Sequence, residues 1–376
     1  MVIKNQTIAT HQEIYVADIH IENGLITKVI KKSDQPNFNN VLLPGFVDIH
    51  THGGYGWEFN DLTNVNYQLS LQKYLKSVPQ EGVTNVLGTT VSCSYHDLLQ
   101  IANHFYQALS TDKNAIILGW YLEGPFLAKA KKGAHNAKYI KPLNNDVIEF
   151  VKNNTKLIKT IAIAPEVSKN ASYIHTLAKS TAVALGHSQA SAITALKAIT
   201  NGASRYIHLY NAMAPFSHRN PSILNAALLK NHAYVELITD GIHVDPLVLK
   251  TTYQTLSANS IIIVSDTLSC KGLKNGRYKL GDLDIIKHTN IATLASDNTI
   301  AGAVMPYNLQ VANFYKATKC SLTDIVKMTS YNPIRAINMH QSVGQIAPNY
   351  WANFVVIDKK FNVLKTIIKG QEVYRK

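Results

Sequence analysis

At 376 residues, 46% apolar and 16% charged, the chain can hold one large domain, or one large and one small. No run of eighteen apolar residues occurs, so no membrane-spanning helix is expected, and the opening MVIKNQTIATHQEI lacks the apolar segment of a signal peptide. The net charge of +13 would suit nucleic acid or an anionic small molecule. The lysines are scattered, however, apart from Lys31-Lys32 and the loop KAKKG, with no basic block interleaved with aromatics. Neither a nucleic-acid nor a membrane partner is expected. Cys93, Cys270 and Cys320 are odd in number, far apart and outside any CxxC, which points to reduced thiols in a cytoplasmic protein.

In chain order, residues 1–43 read as β-rich. Two alternating runs, EIYVADIHIE and LITKVIKK, flank a turn at Asn23-Gly24, the strongest short hairpin signal. The pattern then changes. Eight short β-branched runs follow, at 42–49, 84–89, 116–122, 158–164, 181–185, 205–208, 234–239 and 261–264, separated by stretches long enough for helices. This alternation predicts an α/β fold, a (β/α)8 TIM barrel, although a doubly wound open sheet has the same alternation. Residues 322–340 read as helical, and the remaining tail as strands again. The two ends are therefore expected to form a small β-sandwich domain from 1–43 plus 344–376, beside a barrel at 44–343.

Chemistry in such a barrel collects at the C-terminal ends of the strands. Strand one carries Asp48, His50 and His52 at alternate positions, which a strand points to one face. Strand three ends in Glu123, strand five in His187, strand six in His208 and strand eight in Asp266. Strand seven leads into Asp240 and His243, while strands two and four end less tellingly in Thr89-Thr90 and Pro165-Glu166. Taken singly, each has a plainer reading: a core histidine satisfied by backbone, a helix-terminal carboxylate, or, for His135, an ordinary surface residue. Together they suit zinc or iron with an open position for water, whose pKa the metal would lower. Asp266 is the candidate to take that proton and pass it to a leaving amine.

The motifs PGFVDIHTHG, LEGPF, KKGAHN, GHS, HLYNAM, DGIHV and VSDT, in this order, resemble the amidohydrolase superfamily. Within it they resemble the N-acetylglucosamine-6-phosphate deacetylases, nearly along the whole chain. The resemblance implies hydrolytic removal of acetate from N-acetyl-D-glucosamine 6-phosphate in amino-sugar metabolism, with Asp266 as general base and then acid. It implies a divalent metal on Glu123, His187 and His208. A second metal through His50 and His52 would make two per subunit, zinc first, with iron, manganese or cobalt as alternatives. It also implies a sugar site lined by Ala134, His135, Asn211, Ala212 and His243, and by the segment Ile300, Ala301 and Gly302. Arg219 would reach the sugar phosphate, often across a homodimer interface, and a guanidinium fork suits a phosphate dianion. Asn349-Tyr350 and Asn353 depart from the family's usual closing turn, and Thr267 stands where alanine often follows the aspartate. The rival readings are a deacetylase or amidohydrolase for another N-acetyl hexosamine phosphate or amide, and a scaffold that has lost its chemistry.

Overall fold

All eight runs read as barrel strands form strands in the computed structural model, which describes Met1–Lys376. They are Phe46–Thr51, Val83–Thr90, Ile117–Leu122, Ile158–Ile163, Ala182–Leu185, Ala203–Tyr206, Tyr234–Ile238 and Ile261–Val264, called barrel strands one to eight. Each pairs in parallel with the next, giving one eight-stranded parallel sheet. Outward side chains such as Val86, Leu122, Val183, Val235 and Leu237 join a core cluster with the helices around the barrel. The helix Tyr95–Thr111 shows why: Leu98, Ile101, Ala102, Phe105 and Ala108 fall on one face at helical spacing. Its start is set by Ser94, whose hydroxyl accepts from Asp97 N, while the Asp97 carboxylate accepts from Ser94 N. No helix is long and apolar enough to cross a membrane.

The run at 42–49 is divided rather than continuous. Asn40–Pro44 belongs to a seven-stranded sheet that also holds the first three strands and the last three. Pro44 lacks an N–H for a ladder, and Gly45 turns the chain into the barrel where space is tight. A Cβ on Gly45 would come within 2.2 Å of Thr84 Cγ2. Both ends of the chain thus share one sheet, and Asn23 (φ 51°) and Gly24 (φ 80°) adopt the paired left-handed turn expected of Asn-Gly. One feature lay outside the sequence reading. An antiparallel three-stranded meander, Gly276–Leu280, Leu283–His288 and Ile291–Leu294, follows barrel strand eight. The helical stretch at 322–340 is Leu322–Val326, a π turn at Lys327–Tyr331 and Asn332–Ala336, stopping short of a left-handed Asn338.

Barrel strands eight and one meet at a seam closed largely by side chains. Asp48 accepts from Ser265 N at 3.0 Å and from the Ser265 hydroxyl. Thr51 and Thr267 hydroxyls lie 3.0 Å apart, and Asp266 N donates to His50 O at 2.9 Å. Asp48 is thus taken up by the seam, and burial lifts its carboxyl to about 6. Replacing Asp48 with Ala strands the buried donors of Ser265 and is expected to cost about 3 kcal/mol in urea unfolding. A loss under about 0.5 kcal/mol would show that other contacts close the seam.

Candidate active site

The residues that end the strands form the floor of a cavity of about 320 Å³ at the C-terminal mouth of the barrel. Strands five, six and eight each give way to a non-glycine residue in the left-handed region: His187 (φ 45°), His208 (φ 24°) and Asp266 (φ 49°). Such backbone costs about 1–3 kcal/mol per residue and persists only where its surroundings hold it. At Asp266 the neighbouring loop helps. Ala303 N donates to Asp266 O at 2.8 Å, and a Cβ on Gly302 would stand 2.3 Å from that same oxygen.

Glu123 sits at the centre. Its Oε1 lies 3.2 Å from His187 Nε2 and 3.1 Å from His208 Nε2. Its Oε2 lies 3.1 Å from His52 Nε2 and 3.5 Å from His50 Nε2. One carboxylate oxygen therefore faces each histidine pair. Asp266 Oδ1 is 3.1 Å from His52 Nε2 and 3.6 Å from His50 Nε2. All six groups are buried.

These groups fit a cation. His50, His52 and Glu123 offer donor atoms within 4.8 Å of one another, as do Glu123, His187 and His208, and His50, His208 and Asp266. His50 Nε2 and Asp266 Oδ1 are buried with no ordinary hydrogen-bond partner. Bare nitrogen and oxygen lone pairs facing one another in a dry site are unfavourable unless positive charge lies among them. The proton balance shows the same demand for charge. Burial works against ionised imidazole, yet Glu123, Glu236 and Asp266 lift His50 well above the usual range, and Asp266 and Glu123 lift His52 to about 9. Burial also opposes ionised carboxyls, yet the imidazoles, His50 first, hold Glu123 well below its usual range and Asp266 at about 2.

His135 is placed differently. Ser92 N donates to its Nδ1 at 3.0 Å, so Nδ1 is the acceptor and Nε2 carries the hydrogen. Burial pushes its pKa down to about 4, so the ring is neutral and presents one N–H beside Glu123. His243 has an acceptor at both nitrogens, Asp240 Oδ2 at 2.8 Å and Ala301 O at 2.7 Å. Burial opposes its charge, but Asp240 prevails and raises its pKa, in keeping with an acceptor at each ring nitrogen.

The partners shift in opposite directions, which sets a pH window. Asp240 falls below 3.8 and His243 rises above 6.5, so their mutual stabilisation is complete between those values. It is lost as pH rises through the folded value of His243, or falls through that of Asp240. The unfolding midpoint of His243→Gln should trail the wild type most inside the window and converge on it in alkali. A gap that stays constant to high pH would contradict the pairing.

Ala134, His135, Asn211, Ala212, His243, Ile300, Ala301 and Gly302 all line the cavity, with His52, Glu123, His187, His208 and Asp266. His50 lies beneath the floor, wholly buried. Arg219 is not brought there: it lies on an exposed stretch and does not line the cavity of its own chain. Sequence reasoning missed Ser92, which sets the His135 tautomer, and Lys131, which lines the cavity and accepts from His187 Nδ1 through its carbonyl at 2.8 Å. It also missed Arg205 and Glu236, two wholly buried charges on strands six and seven. The available signal was a charged residue inside each of two apolar runs, SRYI and YVELI.

A parallel barrel whose strand ends aim imidazoles and carboxylates at one buried floor is the arrangement of a metal-assisted hydrolase. Residues 41–373 match the amidohydrolase family. The N-acetylglucosamine-6-phosphate deacetylase of Bacillus subtilis (strain 168) is 31% identical, over 98% of this chain and 96% of that protein. The protein of the same name from Lysinibacillus sphaericus is 32% identical, over 94% and 92% respectively. The crystal structure of N-acetylglucosamine-6-phosphate deacetylase from Thermotoga maritima superposes with a TM-score of 0.92 at 32% identity, covering all of both chains. The chain belongs to the amidohydrolase family and, within it, to the N-acetylglucosamine-6-phosphate deacetylases.

Proposed function

We propose that this chain hydrolyses the acetamide of N-acetyl-D-glucosamine 6-phosphate, giving acetate and D-glucosamine 6-phosphate. The observation that carries the reading is the cavity floor, where an ionised Asp266 and the N–H of a neutral His135 flank the carboxylate that faces both histidine pairs. The names of the relatives supply the substrate.

In this reading Glu123, His187 and His208 would hold a divalent metal, zinc first, with His50 and His52 able to complete a second position through Glu123. When bound, such a metal supplies positive charge to a carbonyl oxygen and makes a water acidic near neutral pH. The chain's own groups do the rest. Asp266, kept ionised among imidazoles, takes the proton of the attacking water. His135 Nε2–H donates to the acetyl oxygen as negative charge develops on it. Asp266 then returns its proton to the sugar nitrogen, so that the amine leaves neutral. In a homodimer, Arg219 would meet the sugar phosphate in the partner's cavity, since it does not line its own.

Acetate release from N-acetylglucosamine 6-phosphate tests the reading, run on metal-stripped protein and again after return of zinc, iron, manganese or cobalt. Metal-dependent turnover is expected. Folded protein that releases no acetate with any of these metals would overturn the reading.

A further inference from the structure

Beneath the floor of the cavity lies a buried charge pair that the reaction above does not use. Glu236 on strand seven and Arg205 on strand six are wholly buried, with Glu236 Oε1 2.8 Å from Arg205 Nε. Arg205 Nη2 donates to Thr160 on strand four at 2.7 Å, and its guanidinium stands 5.3 Å from the Tyr121 ring centre on strand three. Glu236 Oε2 lies 2.9 Å from His50 Nδ1 on strand one. Side chains from strands one, three, four, six and seven can meet only inside the barrel.

A buried ion pair of this kind is a poor stabilising device, because apolar residues of similar size often serve the fold as well or better. Its geometry suggests another use. A carboxylate can only accept, so His50 Nδ1 is the donor, and in the neutral ring that metal ligation requires the lone pair falls on Nε2. That nitrogen faces Glu123 Oε2 at 3.5 Å and Asp266 Oδ1 at 3.6 Å without a hydrogen bond. His50 also packs on Tyr121, with ring centres 4.7 Å apart, so the imidazole is fixed in orientation as well as tautomer. The rings of the other histidine pair are set by other contacts: His187 Nδ1 donates to the Lys131 carbonyl, His208 Nδ1 has no partner, and Glu236 meets His208 only at its backbone N, 3.4 Å from Oε2.

We infer that Glu236, anchored by Arg205, is a positioning residue that turns His50 Nε2 into the cavity floor and thereby controls metal occupancy on the His50–His52 side, separately from the Glu123–His187–His208 side. The inference rests on the metal reading above and names residues that tune it. Outer carboxylates of this kind typically contribute 10–100-fold to metal affinity.

The test is zinc binding rather than turnover. Metal-stripped wild type, Glu236→Met and the double variant Arg205→Met/Glu236→Met are titrated with zinc, and bound zinc per chain is counted by elemental analysis. The double variant removes both charges together, so no unpaired charge is left in the barrel. Two equivalents are expected in the wild type. In both variants the first should bind as in the wild type and the second about 10–100-fold more weakly. A cobalt-loaded sample should lose the absorption change that accompanies the second equivalent. Three results would overturn the inference: an unchanged second equivalent in the double variant, equal weakening of both equivalents, or a wild type that takes up only one. The readout does not involve acetate, so loss of the second equivalent in a protein that hydrolyses nothing would sink the reaction and leave this inference standing.

Discussion

Asp266→Asn is expected to lower turnover by about two to four orders of magnitude, the range that a general base contributes. The asparagine keeps the shape of the side chain and its left-handed backbone, since Asn tolerates that region at least as well as Asp. It cannot hold a proton between the attacking water and the departing nitrogen. Metal content should stay close to that of the wild type, because Glu123, His187 and His208 form a donor set without Asp266. The KM should change far less than kcat, as befits a group that acts on the transition state. Turnover within about threefold of the wild type would remove Asp266 from the mechanism.

The second large effect is expected at Glu123. It meets His50, His52, His187 and His208, with one oxygen to each pair. Glu123→Ala should therefore abolish stoichiometric metal retention on gel filtration and lower affinity by more than about 100-fold, beyond what an outer carboxylate contributes. It also leaves His50, His52, His187 and His208 facing one another without their shared anion, so acid should unfold the variant sooner than the wild type. If the variant kept its metal at wild-type strength, the floor would not be the metal centre. The same titration separates this residue from Glu236, whose loss should spare the first equivalent.

Much of the site was legible because a strand encodes direction locally. The alternation of Asp48, His50 and His52 states which residues share a face, and a polar residue closing an apolar run marks a strand end. Hence the floor of the cavity could be assembled from the places where strands one, three, five, six and eight stop. His135 and His243 were less accessible. Each lies in a loop, and the role of each comes from its partners, Ser92 for one and Asp240 with Ala301 for the other. Only Asp240 is near in sequence. Arg219 shows the converse: its motif was clear, while its place within the chain is outside the cavity.

The sequence by itself determined the eight strands, the left-handed Asn23-Gly24 turn, and the identity of the groups at the mouth of the barrel. These depend on periods of two and on turn chemistry, which act over a few residues. The tertiary structure decided that Pro44-Gly45 divides one apolar run between two sheets, and that Asp48 serves the seam. It also decided that Glu123 stands between both histidine pairs, and that Arg205 and Glu236 reach His50 from beneath. Each of these depends on residues dozens to hundreds of positions apart meeting across a closed barrel. The closure that makes them neighbours is a property of the whole sheet, and no local pattern carries it.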